Sequence, residues 1–300
     1  MDLGPHNVSV SPIDYRYGRP EAKAIWSREG RHSRQLAVER ALVSAHAKMG
    51  RVSAEHDDEI GRISVPEIVT ADRVDEIEQV TRHDIMALTK AMAEQAGDAA
   101  WCIHLGATSN DIVDTAVALQ IKDSLRMQKE ALSALISTLS DLARRERDTV
   151  MLGRTHGQAA VPITFGLKIA VFIDEFVRHY ERLLEAEGRV TAGKFLGAVG
   201  TGAAQGDGAM ELQRLILESL GLAVPVATTQ VVGRDRYIEW VSWMANTATS
   251  VEKLLQEIRN LQRSEIAEVS EWFDVKNQVG SSTMAHKRNP ITAENACGLA

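Results

Sequence analysis

Aromatic residues make up only 5% of this 300-residue chain while hydrophobic residues total 44%, so the interior is built mainly from Ala, Leu, Val and Ile. That mixture favours helices and argues against an all-β sandwich. Cysteine is also scarce. Cys102 and Cys297 stand far apart with no CxxC pair and no Cys/His ladder, which excludes a disulfide scaffold and a structural zinc site and fits a reducing cytosol. Lys and Arg number 34 against 41 Asp and Glu, a net charge of −7, so a sequence-blind nucleic-acid binder is excluded. No stretch approaches the roughly 20 apolar residues of a membrane span. The N-terminus lacks the basic head and apolar run of an export signal. These absences lead us to expect a soluble, cytoplasmic helical protein, long enough for two packed units.

Residues 1–20 hold Pro5, Pro12, Gly18 and Pro20 among polar residues, the composition of an extended arm. From Glu21 to Met49 a Gly-poor run predicts a helical hairpin broken near Gly30, with Gly50 as its C-cap, and further short helices continue to Gly97. Leu132, Leu135, Ile136, Leu139 and Leu142 follow helical spacing, as do Phe165, Ile169, Phe172, Phe176, Tyr180 and Leu183 in a run ending at Gly188. Between Gly233 and Gly280 there is neither Gly nor Pro, and Val241, Met244, Ala248, Val251, Leu255 and Ile258 recur at alternating three and four. This predicts a helix of about 35 residues, roughly 50 Å long, which needs partners along its whole length. The predicted fold is therefore all-α: an N-terminal helical domain over 1–107 and an elongated long-helix bundle over 108–300. Residues 188–208 hold seven glycines without the Gly-Lys-Ser/Thr ending of a phosphate loop, so close packing or a substrate-lining loop is the better reading.

Four polar stretches stand out. Thr81-Arg82-His83-Asp84 reads as a solvated helix face in isolation. Gly106-Ala107-Thr108-Ser109-Asn110-Asp111 offers a helix N-cap at Ser109 or Asn110, and the same geometry makes an anion site. Gly153-Arg154-Thr155-His156-Gly157-Gln158 is a polar break between two periodic helices whose imidazole suits proton transfer near neutral pH. Residues 280–290, GSSTMAHKRNP, concentrate two serines, a histidine, a lysine, an arginine and an asparagine directly after the expected long helix, the composition of a catalytic or anion-binding lid.

The segments GATSNDIVDTA, GRTHGQAAVPITFGLK and QVGSSTMAHKRNPITAEN, in this order, closely resemble the adenylosuccinate lyase family of the fumarase/aspartase superfamily, and the resemblance runs from SPIDYRYG to the last residue. Carboxymuconate cycloisomerases are similar at PITFGLK but generally lack the motif histidines, whereas His83 and His156 are both present here. The resemblance implies elimination of fumarate from adenylosuccinate to give AMP, and from the succinylated aminoimidazole carboxamide ribotide of purine synthesis. It implies Ser281 as the base that removes the proton, Lys287 as the cation that stabilises the carbanion, and His156 as the donor to the departing nitrogen. It further implies that His83 orients or charge-assists that donation through the substrate phosphate region. Substrate contacts carry over to Arg16, Tyr17, Arg82, Asp84, Thr108, Ser109, Gln230, Ser282 and Asn289. No metal and no organic cofactor are implied, and the nine histidines show no metal-ligand spacing.

The family forms homotetramers whose sites are shared between chains, so partner copies are expected, with no nucleic acid and no membrane. Two departures follow from the same comparison. Ala285 stands where the family loop carries proline, and the family continues for well over a hundred residues beyond position 300, implying a missing C-terminal part. A superfamily enzyme acting on another substrate, such as a carboxymuconate cycloisomerase, and a catalytically incomplete helical assembly module are the alternatives.

Overall fold

A computed structural model of the chain describes residue 11, residues 13–284 and residues 286–300; Pro5, Pro12 and Ala285 therefore lie outside the described residues. Among the described residues there are ten α-helices and one two-stranded sheet, with a short π-helical turn, Ile13–Tyr17, in the expected N-terminal arm. Two compact units emerge, one of residues 1–127 with 187–236, the other of residues 128–186 with 237–300.

The first unit begins with α1 (Pro20–Trp26) and α2 (Arg28–Lys48); the break expected near Gly30 falls at Ser27 instead, and Gly30 lies in the first turn of α2. Short helices follow: α3 (Ala54–Ile63), α4 (Ala71–Thr81) and α5 (Asp84–Ala93). Hydroxyl side chains start three of these helices, Ser27 accepting the Gly30 N–H at 2.9 Å, Ser53 that of His56 at 3.2 Å and Thr70 that of Arg73 at 3.2 Å. Their apolar faces close over Leu36, Leu42, Ile60, Ile85, Leu88 and Met92, joined by Ile112 near the start of α6 (Ser109–Arg145) and by Leu212 and Ile216 of α8 (Ala209–Ser219). Full burial of each such side chain stabilises by about 1.5–3 kcal/mol.

The second unit contains the later part of α6, most of α7 (Phe165–Val190), α9 (Asp235–Leu261) and α10 (Ile291–Leu299). Phe176, Leu183, Leu254 and Leu261 are buried here, and the indole N–H groups of Trp240 and Trp243 donate to Gln128 Oε1 at 3.0 Å and to the His179 carbonyl at 2.8 Å. A polar string that runs from the buried His179 out to exposed Lys253 joins α7 to α9: His179 Nε2 bonds Ser250 Oγ at 2.8 Å, Ser250 donates to Glu175, and Lys253 bonds the same carboxylate at 2.6 Å. The Lys253 and Ser250 hydrogen bonds hold the Glu175 carboxyl below the usual range.

Two expectations need correction. The long helix ends at Leu261, giving 27 residues and about 40 Å. Absence of Gly and Pro does not keep a helix going: Ile266 and Ala267 both donate to the Arg263 carbonyl, Ala267 turns left-handed at φ 52°, and the Glu268 N–H returns to the Leu261 carbonyl at 3.0 Å. The polar break at 153–158 is no simple interruption either. It is the tip of an antiparallel hairpin, β1 (Val150–Thr155) and β2 (Gln158–Thr164), whose register shifts between Leu152 and Arg154. That bulge and the exposure of most of β2 erase the alternation by which a strand is recognised.

Candidate functional site

Backbone conformation places each candidate before its side chain acts. Thr81–Asp84 is the corner between α4 and α5 and so not a helix face: Arg82 closes α4 in the left-handed region at φ 52°, and His83 caps α5, its Nδ1 accepting the Met86 N–H at 3.3 Å. That bond leaves Nε2 as the protonated nitrogen of the neutral ring. Asp84 lies 3.5 Å from His83 Nδ1, and Arg82, His83 and Asp84 are all exposed.

At the GATSND segment the cap falls one residue earlier than expected. The Thr108 N–H donates to Asp111 Oδ2 at 2.8 Å, so Asp111 reaches back to the helix start, and Thr108 and Ser109 are half-buried at the α6 N-terminus. Asp111 is itself buried beside Lys194, whose Nζ bonds its Oδ1 and the Gly197 carbonyl. Burial raises the Asp111 pKa even though Lys194 pulls it down. One turn on, Asp114 accepts the Val232 N–H at 2.9 Å and Arg234 Nη2 at 3.0 Å, which ties the loop carrying exposed Gln230 to the first turns of α6. Lys194, inside the glycine-rich stretch, thus serves the packing that composition suggested there.

His104, two residues before Gly106, was not legible as a site residue. It adopts φ 58°, and the wholly buried Glu39 takes both its main-chain N–H at 3.0 Å and its Nδ1 at 2.7 Å. Burial works against charge on this imidazole, but the Glu39 carboxylate prevails and raises its pKa. Arg16 and Tyr17 lie in the N-terminal turn, the guanidinium 5.4 Å from the ring centre.

His156 and Gly157 are the two central residues of the hairpin turn, at φ 55° and 73°, the signs required by a type I′ turn. Histidine is among the few residues enriched in that region. The His156 side chain is exposed, and Arg154 beside it forms a two-pronged pair with Glu268 at 2.9 and 2.7 Å. In the segment 280–290, Ser281 Oγ accepts the N–H groups of Thr283 at 3.3 Å and Met284 at 3.1 Å, an environment that favours negative charge on that oxygen. Asn289 Nδ2 donates to the Gly280 carbonyl at 3.2 Å. Ser282 and Lys287 are exposed, and Lys287, Arg288, Arg259 and Arg263 line a cleft of about 630 Å³ with Glu265 and Glu294. Its cationic excess and its size suit a small anionic ligand. Glu294, an acid in the first turn of α10, was missed from sequence because nothing in that helix pattern marks it.

Ser281, Ser282, Lys287, Asn289 and His156 thus belong to the second unit, whereas Arg16, Tyr17, Arg82, His83, Asp84, Thr108, Ser109 and Gln230 belong to the first.

Residues 14–300 match the family described as lyase. The chain belongs to the lyase family. Lyase relatives with the same name recur: the chain is 50% identical over 293 residues to an adenylosuccinate lyase of Pyrococcus abyssi, covering 98% of this chain and 65% of that one. It is 41% identical to the adenylosuccinate lyase of Bacillus subtilis, covering 95% and 64%. This lyase chain therefore spans a little under two thirds of the length of such relatives. Among solved structures it resembles a 3-carboxy-cis,cis-muconate lactonizing enzyme of Pseudomonas putida, with TM-score 0.84 and 32% identity over 95% of this chain and 64% of the other. A fumarate lyase of Mesorhizobium sp. BNC1 aligns with TM-score 0.81 and 32% identity, covering 94% and 64%. The all-α superfamily fold expected from the motifs is the fold observed, with the hairpin as its one sheet among the described residues.

Proposed function

We propose that the protein is an adenylosuccinate lyase, eliminating fumarate from adenylosuccinate to leave AMP and from the succinylated aminoimidazole carboxamide ribotide. The observation that carries this reading is the 50% identity to an adenylosuccinate lyase across 98% of the chain. In the proposed reaction Ser281 removes the proton next to the substrate carboxylate. The electron pair forms the carbon–carbon double bond, the carbon–nitrogen bond breaks, and His156 protonates the departing nitrogen. Lys287 neutralises the charge that builds on the carboxylate, where fixed cations lower the barrier most. The two amides on Ser281 Oγ support the base role by stabilising its anionic form. His83 orients or charge-assists the donation by His156 through the substrate phosphate region, with Arg16, Tyr17, Arg82, Asp84, Thr108, Ser109, Gln230, Ser282 and Asn289 as substrate contacts. A cytoplasmic homotetramer with shared sites completes the reading, an expectation carried by the likeness to adenylosuccinate lyases.

The likeness to the lactonizing enzyme favours a second reading, a cycloisomerase. It is the weaker one, at 32% identity and with both motif histidines present. An ultraviolet assay with adenylosuccinate, followed by chemical detection of fumarate, separates the two because a cycloisomerase releases none. Ser281→Ala is expected to abolish turnover while substrate still binds; near-normal turnover removes Ser281 from the base role. His156→Ala and Ser281→Ala proteins, each inactive, are expected to regain activity when reassembled together, and failure in demonstrated mixed oligomers argues against shared sites.

A further inference from the structure

The hairpin tip that carries His156 lacks the support a proton donor needs from its own strands. A two-stranded hairpin is marginally stable alone, and β2 is exposed along most of its length. Among the described residues the His156 ring makes no hydrogen bond that would hold it. Transferring a proton to a leaving group nevertheless demands placement within fractions of an ångström.

We infer that Arg154 and Glu268 form a positioning clamp that sets His156, an inference resting on the proposed lyase reading. Arg154 stands two residues before the tip and bonds Glu268 through both Nη1 and Nη2, with each side chain only 24% exposed. Such two-pronged guanidinium–carboxylate contacts fix angle as well as distance. The anchor end is tied on both sides: the Glu268 N–H bonds the Leu261 carbonyl at the close of α9, and three residues on Glu271 accepts the Thr292 and Ala293 N–H groups at 3.2 and 2.7 Å. Lys168 of α7 pairs with Glu257 of α9, so four charges alternate in sign around the clamp. The sequence Glu268-Val269-Ser270-Glu271 therefore ties the hairpin carrying His156 and the helix that follows the Ser281 loop to one short strap within the second unit. Arg154 and Glu268 touch no reacting atom; they act through His156.

The test compares the parent chain with Arg154→Gln, Glu268→Gln and the reversed pair Arg154→Glu/Glu268→Arg. Hydrogen exchange of the 150–164 amides and the linewidth of the His156 ring signal in NMR report the clamp without any turnover. Both single variants are expected to speed exchange in the hairpin at least tenfold while α7 and α9 stay protected, and the reversed pair to recover much of that protection. Adenylosuccinate turnover, in the same proteins, is expected to fall about 100-fold in kcat with little change in KM, and to return partly in the reversed pair. Unchanged hairpin exchange in folded single variants overturns the clamp. Faster exchange with undiminished kcat overturns its role in setting His156. A parent chain that turns over no adenylosuccinate is the result expected of the catalytically incomplete alternative, and the exchange measurement then decides the clamp alone.

Discussion

Replacing Lys194 by Met tests how the GATSND helix start is held. Lys194 and Asp111 are 0% and 1% exposed in their side chains, so the substitution strands a carboxylate that water cannot reach. Removing one partner of a buried pair costs about 3–5 kcal/mol. The Gly197 carbonyl loses its Nζ donor in the same step. The loss depends on pH, and its sign follows from Asp111. Burial already raises its folded pKa above the unfolded value, and deleting Lys194, which pulls that pKa down, raises it further. An acid with a raised folded pKa destabilises most when ionised, at high pH, and the penalty shrinks as pH falls through that folded pKa, by at most about 1.4 kcal/mol per unit. Urea unfolding followed by tryptophan fluorescence at pH 8 and pH 5.5 reads this directly. The expected result is a large loss at pH 8 that narrows at pH 5.5, beside a negligible loss for exposed Lys90→Met. A Lys194→Met loss below about 1 kcal/mol at both pH values, or one that grows on acidification, refutes the account.

Three further outcomes follow from named contacts. A Cβ on Gly280 would collide with the Lys287 carbonyl oxygen, so Gly280→Ala is expected to force the loop apart and cut turnover at least tenfold while unfolding midpoints barely move; retained turnover counts against a loop closed in this way. Burial lowers the pKa values of His32 and His46, so both fold neutral, and the stability they contribute is present above about pH 6.5 and lost as the unfolded chain takes up protons below it. Between pH 7.5 and 5.5 the free energy of urea unfolding is expected to lose up to about 1.4 kcal/mol per pH unit for each of these histidines relative to a His32→Gln/His46→Gln variant, and a parent loss no larger than the variant's contradicts it. Glu39→Gln removes the carboxylate that raises the His104 pKa, so the NMR titration midpoint of His104 is expected to drop, and an unmoved midpoint excludes Glu39 as the cause.

The helices were legible where one apolar stripe faces one neighbour. Leu132 and Leu139 of α6 and Phe172, Phe176 and Leu183 of α7 all recur at helical spacing and all are buried. What escaped was structure made by polar contacts between distant residues. Nothing near Lys194 announces Asp111, and nothing near Glu39 announces His104, because 83 and 65 residues separate the partners. The end of α9 escaped for a local reason, since Ala267 adopts a conformation that composition assigns to glycine. Ser281, Lys287 and Asn289 were legible as a group because the chain places them within nine residues. Arg154 was visible in its motif, but its pairing with Glu268 required the fold.

The turn at the hairpin tip narrows the alphabet open to position 156. Few side chains tolerate the left-handed backbone found there; glycine, asparagine, aspartate and histidine are those that do so most readily. Of these four only histidine exchanges a proton near neutral pH. Backbone shape and proton chemistry thus filter the same position independently, and one residue type passes both. On the proposed reading, drift at this site runs through asparagine or glycine, which keep the hairpin and remove the proton donor, giving folded chains without turnover.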